Sequence, residues 1–282
     1  MLDTLSKAAL YCPPFELCGN TFSATLFGKP ENNSLSQLND PVKGPALGRR
    51  LEAELLSRRV GKALAPSPVQ FTDRIIDPKE LTTKVSVGAH ALYRNPEEPA
   101  DGVPLEAGEA YVISPAGCPI TLMVRGDTAF ALHTGRFCLV DPHWAEHGIC
   151  KEGRANTSIC FTALNLLRAH SERPNKETRV KVFWSIPPRN FKHDLDDPKY
   201  QHINKGFYHK VRSRWGERCV PRRDNIFYPD LPQLIRAQCM EAGVPEENID
   251  LSHAYMSATN PDVWMDGTAG AGRNVVILAR HS

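Results

Sequence analysis

The sequence predicts an α/β fold in which a mixed sheet and its flanking helices form a single domain over residues 1–282. Short apolar runs of strand character alternate along the chain with amphipathic helical segments. No Ser/Gly-rich linker interrupts this alternation, and no internal repeat suggests a solenoid or a propeller. A chain of 282 residues has room for two domains, but the unbroken alternation favours one.

Three segments have the apolar spacing of amphipathic helices. The first stops before Pro66. The third has Asp230 as its predicted N-cap, Pro232 in its first turn and Gly243 as its stop. The three predicted helices cover residues 46–64, 156–170 and 230–242.

Six short apolar runs predict strands. Two of them are separated only by Gly126 and Asp127, a connection suited to a hairpin, so we expect these two strands to be adjacent and antiparallel. The predicted strands cover residues 85–93, 110–114, 119–125, 128–133, 179–186 and 274–279. Surface loops are predicted where Pro, Asn, Asp and Gly accumulate, at residues 26–45, 94–108 and 187–204.

Composition excludes several classes of protein. The balance of 34 basic and 32 acidic residues gives a net charge of +2, which does not indicate nucleic-acid binding. No apolar run is long enough to cross a membrane. The amino terminus has an early Asp3 and meets Pro13 and Pro14 before any long apolar run, so no secretory signal is expected. Eight cysteines without a C-x-x-C pair indicate reduced thiols in a cytoplasmic protein.

A basic run between Lys205 and Arg223 carries seven Lys or Arg residues. Phe207, Tyr208 and Trp215 are interleaved with them, a combination that could contact phosphates or stacked bases. The spacing is also that of an amphipathic helix and includes an acidic residue. We therefore expect a mostly exposed helix with no nucleic-acid role.

The segment that carries chemistry begins at Cys118, just before one strand of the predicted hairpin, and reaches His133 at the end of the other. In a hairpin these two ends lie side by side. A thiolate and an imidazole, with a third nitrogen or oxygen ligand, suit a catalytic zinc, which uses three protein ligands and leaves one position open. By spacing alone, a buried cysteine beside an unrelated histidine is the simpler interpretation.

This segment resembles the A-D-C-x-P-(I/V)-x-L and H-A-G-W-R-G signatures of the laccase-domain (YfiH-type) purine nucleoside phosphorylase family. The matching residues are 116–122 and 133–138, with the position between cysteine and proline deleted. Three further segments are similar to the family and follow in its order. They are ADGVPLEAGEAYVI at 100–113, YPDLPQLIRAQCMEAGVPEENID at 228–250 and NPDVWMDGTAGAGRNVVILA at 260–279.

The resemblance implies a YfiH-like α/β/α-type domain with a zinc site of two histidines and one cysteine. It implies a small-molecule substrate, a purine nucleoside or similar heteroaromatic compound that is cleaved with phosphate or deaminated. A monomer or homodimer is expected, with no nucleic-acid or membrane partner. Because members were formerly described as copper-dependent polyphenol oxidases, copper and a phenolic or specialised metabolite form a third, weaker possibility.

Carried over by residue, Cys118 and His133 match the family's cysteine and second histidine, so both are expected to bind metal and to be catalytic. The Q-V-H-G motif that supplies the first histidine is not reproduced. His90 is the nearest candidate after a shift, whereas aligning Gly88 with the motif's glycine puts Val87 at the histidine position. His90 as the third ligand is an expectation that the sequence leaves open.

The other positions depart from the family pattern. Arg136 is still expected to present a guanidinium at the site, and Phe137 to stack on the substrate ring. Asp266 and Arg273, in the closing segment, are the remaining expected substrate contacts. Residues that replace the family's polar groups are Gly117, Arg136, Phe137, Ile235, Trp264 and Met265. These replacements put phosphorolysis with the usual geometry in doubt.

Two classes of function therefore stay open. The retained Cys118 and His133 favour a metal-dependent enzyme, whereas the missing motifs favour a binder of a nucleotide-like or other small ligand that has lost its metal. Two other patterns carry no such prediction. His143 and His147 are four residues apart but lack the H-E-x-x-H order, and the glycine-rich stretch 267–273 precedes a strand instead of joining a strand to a helix.

Overall fold

The computed structural model of the chain contains six α-helices and fifteen strands within its described residues. It describes residues 9–28, 35, 38, 40–41, 44–66, 73–95, 97, 100–147, 158–170, 174–256 and 273–282. The helices are α1 (Gly44–Ser57), α2 (Arg136–Leu139), α3 (Pro142–His147), α4 (Ile159–His170), α5 (Gln201–Trp215) and α6 (Leu231–Glu241). The strands are β1 (Ala9–Leu17), β2 (Asn20–Phe27), β3 (Lys62–Leu64), β4 (Thr83–Val87), β5 (His90–Arg94), β6 (Gly102–Pro104), β7 (Glu109–Ile113), β8 (Ile120–Arg125), β9 (Thr128–His133), β10 (Arg179–Ser185), β11 (His193–Asp194), β12 (Arg222–Arg223), β13 (Ile226–Phe227), β14 (Ile249–Tyr255) and β15 (Val275–Arg280).

The strands form three sheets. The seven-stranded sheet has the order β1-β2-β15-β7-β3-β5-β4, the five-stranded sheet has the order β14-β10-β8-β9-β6, and a small sheet has the order β11-β13-β12. The two large sheets contain both parallel and antiparallel pairs, so the predicted mixed α/β fold is confirmed. Two large mixed sheets stand where the prediction had one.

Side-chain alternation shows how the layers pack. Along β9, Ala129 and Ala131 face a cluster shared with Leu64 and Tyr111 of the seven-stranded sheet, so the two large sheets lie face to face. Phe130 on β9 points the other way, into a cluster with helices α2 to α6. Helix α1 covers the outer face of the seven-stranded sheet through leucines that are each at most 3% exposed: Leu47, Leu51 and Leu55. Each such leucine contributes about 1.5 to 3 kcal/mol by burial.

The predicted hairpin is present. Strands β8 and β9 pair antiparallel from Arg125 opposite Thr128 to Ile120 opposite His133. Gly126 takes a φ of 55°, a left-handed conformation that favours glycine in this tight turn. The predicted helix at 230–242 is also confirmed as α6, and the Asp230 side chain accepts a hydrogen bond from the Gln233 backbone N–H.

Two predicted elements were wrong in detail. The helix predicted over 46–64 ends at Ser57, because Arg59 takes a left-handed φ of 55° and the chain then enters β3, which pairs with β5 and β7. The strand predicted over 85–93 is a hairpin of β4 and β5. Its turn contains Gly88 at φ 59°, close against the carboxylate of Glu52.

The basic run forms α5 only as far as Trp215. Asn204, Phe207, Tyr208 and Val211 are buried, while the arginines near its carboxyl end are exposed, so the helix is more deeply packed than predicted. Strands β1, β2 and β14 were not predicted from the sequence. No helix within the described residues is both long and apolar enough to cross a membrane.

Candidate metal centre

The hairpin end brings Cys118 and His133 together. Backbone and side-chain hydrogen bonds from Thr134 to the Pro119 carbonyl, at 2.9 and 3.0 Å, fix the ends of the two strands against each other. The Cys118 side chain is close enough to His133 to raise the pKa of the imidazole. Cys118 is partly exposed whereas His133 is fully buried, so the cysteine lies on the outer side of this pair.

Asp101 adds a carboxylate from a neighbouring strand. Strand β6 pairs antiparallel with β9, with Gly102 opposite Leu132, and this pairing sets the preceding Asp101 beside His133. The Asp101 Oδ1 lies 2.8 Å from His133 Nδ1, and the Asp101 carbonyl accepts the His133 backbone N–H at 2.6 Å. Both side chains are completely buried, which makes this a fully desolvated histidine–carboxylate pair.

Cys138 closes the cluster from helix α2. Gly135 is the N-cap of this single-turn helix, and the turn returns Cys138 Sγ to 3.6 Å from His133 Nδ1. Cys118 was predicted from the sequence as a ligand, whereas Cys138 was not. The oxygen, nitrogen and sulfur atoms of Asp101, His133 and Cys138 all lie within 4.8 Å of one another.

Charge and burial set the protonation of this cluster. Burial by itself lowers the pKa of His133, but Cys138, Asp101 and Cys118 together raise that pKa well above its ordinary value. Burial raises the pKa of Cys138 to about 12, against the opposing effect of His133. Besides Cys138, the hydrogen bond between the Asp101 side chain and His133 Nδ1 acts in the same direction and favours the protonated imidazole.

The donor set fits a small transition-metal ion. Imidazole nitrogen, thiolate sulfur and carboxylate oxygen are the three ligand types that zinc uses in proteins, and the first two also bind copper. Binding requires Cys138 to lose its proton, since the thiolate is the ligand. A possible metal-binding triad is thus present as Asp101, His133 and Cys138.

Arg136 lies in the first turn of α2, between His133 and Cys138 in the sequence. It is 8% exposed, and its Nη1 donates to His193 Nδ1 at 3.0 Å and to Asn204 Oδ1 at 3.1 Å. Its guanidinium carbon lies 4.3 Å from the ring centre of Phe137. Burial lowers the pKa of Arg136 to about 10, an effect partly opposed by Cys118 and Tyr200, so Arg136 is still a cation at neutral pH.

His193, on β11, completes the surroundings of Arg136. Burial and the Arg136 charge lower the pKa of His193 to about 3, so its imidazole is neutral. The rings of Phe191 and Phe227 pack against it, with centroids 4.5 and 5.4 Å away. His193 Nε2 is buried without a hydrogen-bond partner among the described residues.

The other predicted site residues are more scattered. His90 begins β5 in the seven-stranded sheet, opposite Val87, and is not part of the cluster around His133, where Asp101 is the third group. Phe137 is half-buried beside Arg136. Arg273 precedes β15, while Asp266 lies outside the described residues, together with Trp264, Met265 and positions 267–272.

Sequence reasoning missed Asp101, Cys138, His193 and Asn204. Asp101 precedes a short strand, but only the pairing of β6 with β9 places it at His133. The one local signal was Gly135, whose position before Arg136 suits a helix N-cap and therefore a turn that returns to the strand end. His193 and Asn204 lie 57 and 68 residues from Arg136, beyond the range of any local pattern.

Comparison with known proteins shows the fold. No family model matches the sequence, and no curated protein matches it. Solved structures do match. YlmD from Geobacillus stearothermophilus is 16% identical, with a TM-score of 0.64 over 98% of this chain and 97% of that chain. The hypothetical protein YfiH of Bacillus licheniformis is 12% identical, with a TM-score of 0.62 over 92% of each chain.

A Neisseria meningitidis protein of family model DUF152 is 14% identical, with a TM-score of 0.58 over 98% of this chain and all of that chain. Near-complete coverage in all three comparisons means that the similarity extends over the whole architecture and not over one motif. The chain therefore has the α/β fold of YlmD and YfiH, and the predicted YfiH-like fold is confirmed.

Proposed function

We propose that the cluster around His133 is the metal centre of an enzyme that cleaves a purine nucleoside, or a similar small heteroaromatic substrate, with phosphate or deaminates it. The observation that carries the proposal is the buried triad of Asp101, His133 and Cys138, which lies at a strand end in a YfiH-like fold. Cys118, partly exposed and close enough to His133 to raise its pKa, is the group that faces outward.

Different residues of the chain would bind the metal ion and the substrate. His133 and Cys138 would hold the ion, and Asp101 would bind it or orient His133 through Nδ1, as carboxylates do at many histidine–zinc sites. When bound, zinc would supply Lewis acidity and a bound water of lowered pKa. Phe137 offers an aromatic face for the heteroaromatic ring.

Arg136 supplies positive charge for the phosphate co-substrate. Cys118 is close enough to its guanidinium to raise the pKa of Arg136. No carboxylate forms an ion pair with Arg136 within the described part of the chain. A guanidinium recognises phosphate oxygens through charge-assisted hydrogen bonds, so a phosphate bound here would lie beside the metal centre.

A second candidate function rests on the protonation of the cluster. With the Cys138 thiol neutral near pH 7 and His133 Nδ1 hydrogen-bonded to Asp101, the cluster forms internal hydrogen bonds without an ion. This favours a protein that has kept the pocket, lost the metal and binds a nucleotide-like or other small ligand without turnover. Copper in place of zinc, acting on a phenolic substrate, is a third and weaker candidate.

Metal analysis of the purified protein separates these candidates. We expect bound zinc by elemental analysis, and its loss in His133→Ala and Cys138→Ala. Asp101→Asn distinguishes the roles of the carboxylate, since it should abolish binding if Asp101 is a ligand and weaken it about 10- to 100-fold if Asp101 orients His133. Cys18→Ala is the matched control, because Cys18 is an exposed thiol at the β1–β2 turn.

Activity is measured on adenosine, inosine and guanosine, with and without inorganic phosphate. Phosphate-dependent release of free base supports phosphorolysis, and ammonia release supports deamination. If the protein binds neither zinc nor copper but binds a nucleoside without converting it, the second candidate function, a non-catalytic binder, is favoured over the enzyme. Bound copper together with oxidation of a phenol would favour the third candidate.

A further inference from the structure

We propose that His193 and Asn204 are positioning residues that hold Arg136 as an uncompensated cation, ready for an anionic oxygen of a ligand. The proposal rests on the proposed function in that it extends the same site, but it concerns residues outside the metal cluster. Both lie on elements remote from His133 in sequence, on β11 and on α5.

The partners of Arg136 are neutral. Nη1 donates to His193 Nδ1 and to Asn204 Oδ1, and the guanidinium carbon lies 4.3 and 5.4 Å from the ring centres of Phe137 and Phe207. Among the described residues no acid forms an ion pair with this side chain. A buried charge is normally matched by an opposite charge, because desolvation penalises it strongly. Neutral acceptors orient the guanidinium but leave its charge for a ligand.

The hydrogen-bond network fixes both acceptors. His193 Nδ1 faces an N–H donor, so it must be the unprotonated nitrogen, and the ring proton resides on Nε2. Packing of the ring against Phe191 and Phe227, together with the pairing of β11 with β13, holds the imidazole in place. The depressed pKa of His193 agrees with this tautomer.

Asn204 is anchored independently. Its Nδ2 donates to the Asp194 carbonyl at 2.7 Å, which leaves Oδ1 directed at Arg136. Because the amide donor is already used by the backbone of β11, this side chain cannot flip without losing both contacts. Strand β11 therefore supplies one acceptor, His193 Nδ1, and orients the other, Asn204 Oδ1. Together the two acceptors hold the guanidinium of Arg136 in one orientation.

Three substitutions of His193 test the proposal. Asn retains an acceptor near the Nδ1 position, Leu removes it, and Asp puts a carboxylate against Arg136. The probes are inorganic phosphate, for a free co-substrate, and adenosine 5′-monophosphate, for an oxyanion carried by the substrate. Their binding to metal-free protein is measured by calorimetry, and thermal unfolding is followed in parallel.

We expect His193→Asn to bind within about threefold of the wild type, and His193→Leu to bind at least about tenfold more weakly. In His193→Asp the carboxylate neutralises Arg136, so anion binding is lost while the unfolding temperature is unchanged or higher. If His193 had only a structural role, anion binding and the unfolding temperature would instead decrease together across the variants. His209→Asn, an exposed histidine on α5, is the control and should leave both unchanged.

Nitrogen NMR of the wild-type protein gives an independent measurement, with an unprotonated Nδ1 and a protonated Nε2 expected for His193. Anion binding by His193→Asp equal to that of the wild type, or equal loss in the Asn and Leu variants, would overturn the proposal. If metal analysis finds neither zinc nor copper but phosphate still binds in an Arg136-dependent way, this inference stands while the metal centre fails, so the two proposals are tested separately.

Discussion

His133 and His193 are two buried histidines at the same site, yet their pKa values are shifted in opposite directions. His133 faces the Asp101 carboxylate at 2.8 Å, and His193 faces the Arg136 guanidinium at 3.0 Å. The pKa of His133 is raised well above the ordinary value, while that of His193 is lowered to about 3. Burial alone lowers the pKa of both, so the neighbours decide the outcome: Cys138 and Asp101 raise the pKa of His133, and Arg136 lowers that of His193 further.

Because their pKa values are shifted in opposite directions, His133 and His193 are suited to different chemistry. His133 can carry a proton or exchange it for a metal ion, since both are stabilised by the nearby carboxylate. His193 is restricted to one neutral tautomer, so it acts as a fixed acceptor for Arg136. Arg136 and Cys138, which contact these two histidines, lie in the same single turn of α2, so that turn connects the two environments.

Of the changes considered, removing the Asp101 carboxylate should lower the free energy of unfolding most. Asp101→Ala leaves His133 buried without its partner, and breaking such a pair costs about 3 kcal/mol or more of unfolding free energy. Urea unfolding measures the change. A double-mutant cycle with His133→Ala is the control, because the two losses should not add. Purely additive losses would mean that the pair does not interact in solution.

The decrease in the free energy of unfolding at acidic pH should depend on His193. The unfolded imidazole gains a proton near its ordinary pKa of about 6.5, whereas the folded one stays neutral down to about pH 3. The unfolded state binds more protons between these values, so stability falls as the pH is lowered through this window. Relative to His193→Asn, the wild type should lose about 1.4 kcal/mol for each pH unit below about 6. Parallel profiles would contradict a depressed pKa.

His133 should produce the opposite slope. Its folded pKa lies above the unfolded value of about 6.5, so its contribution is complete below that pH and declines as the pH rises through the folded pKa. The stability advantage of the wild type over His133→Gln should therefore shrink by up to about 1.4 kcal/mol per pH unit above about 6.5. The measurement is urea unfolding of metal-free protein at several pH values. An advantage that stays constant above about pH 6.5 would show that the folded pKa of His133 is not raised.

The smallest effect is expected at the hairpin end. Thr134 donates to the Pro119 carbonyl and its hydroxyl lies 2.9 Å from that of Thr121. Thr134→Val preserves the shape but removes these contacts, at a cost of about 1 kcal/mol by urea unfolding. Because Thr134 adjoins His133, the imidazole NMR signals of His133 should shift while those of His193 stay unchanged. Equal shifts at both would mean that the two environments are coupled more tightly than their contacts indicate.

Local chemistry was enough to predict several elements from the sequence. The β8–β9 hairpin follows from two apolar runs around Gly126 and Asp127, and α6 follows from its Asp230 cap, because both depend on residues that are close in the chain. The same local reasoning failed over residues 85–93, where a glycine turn inside an apolar run produced two strands instead of one.

The sequence alone determined the α/β class, the hairpin and the approach of Cys118 to His133. Only the tertiary structure decided which groups surround that pair. Asp101 is 32 residues from His133 and reaches it through the pairing of β6 with β9, and His193 is 57 residues from Arg136 and reaches it through β11. Such pairings depend on which strands become neighbours once the layers pack, and that choice is made by burial across the whole chain, which no local pattern records.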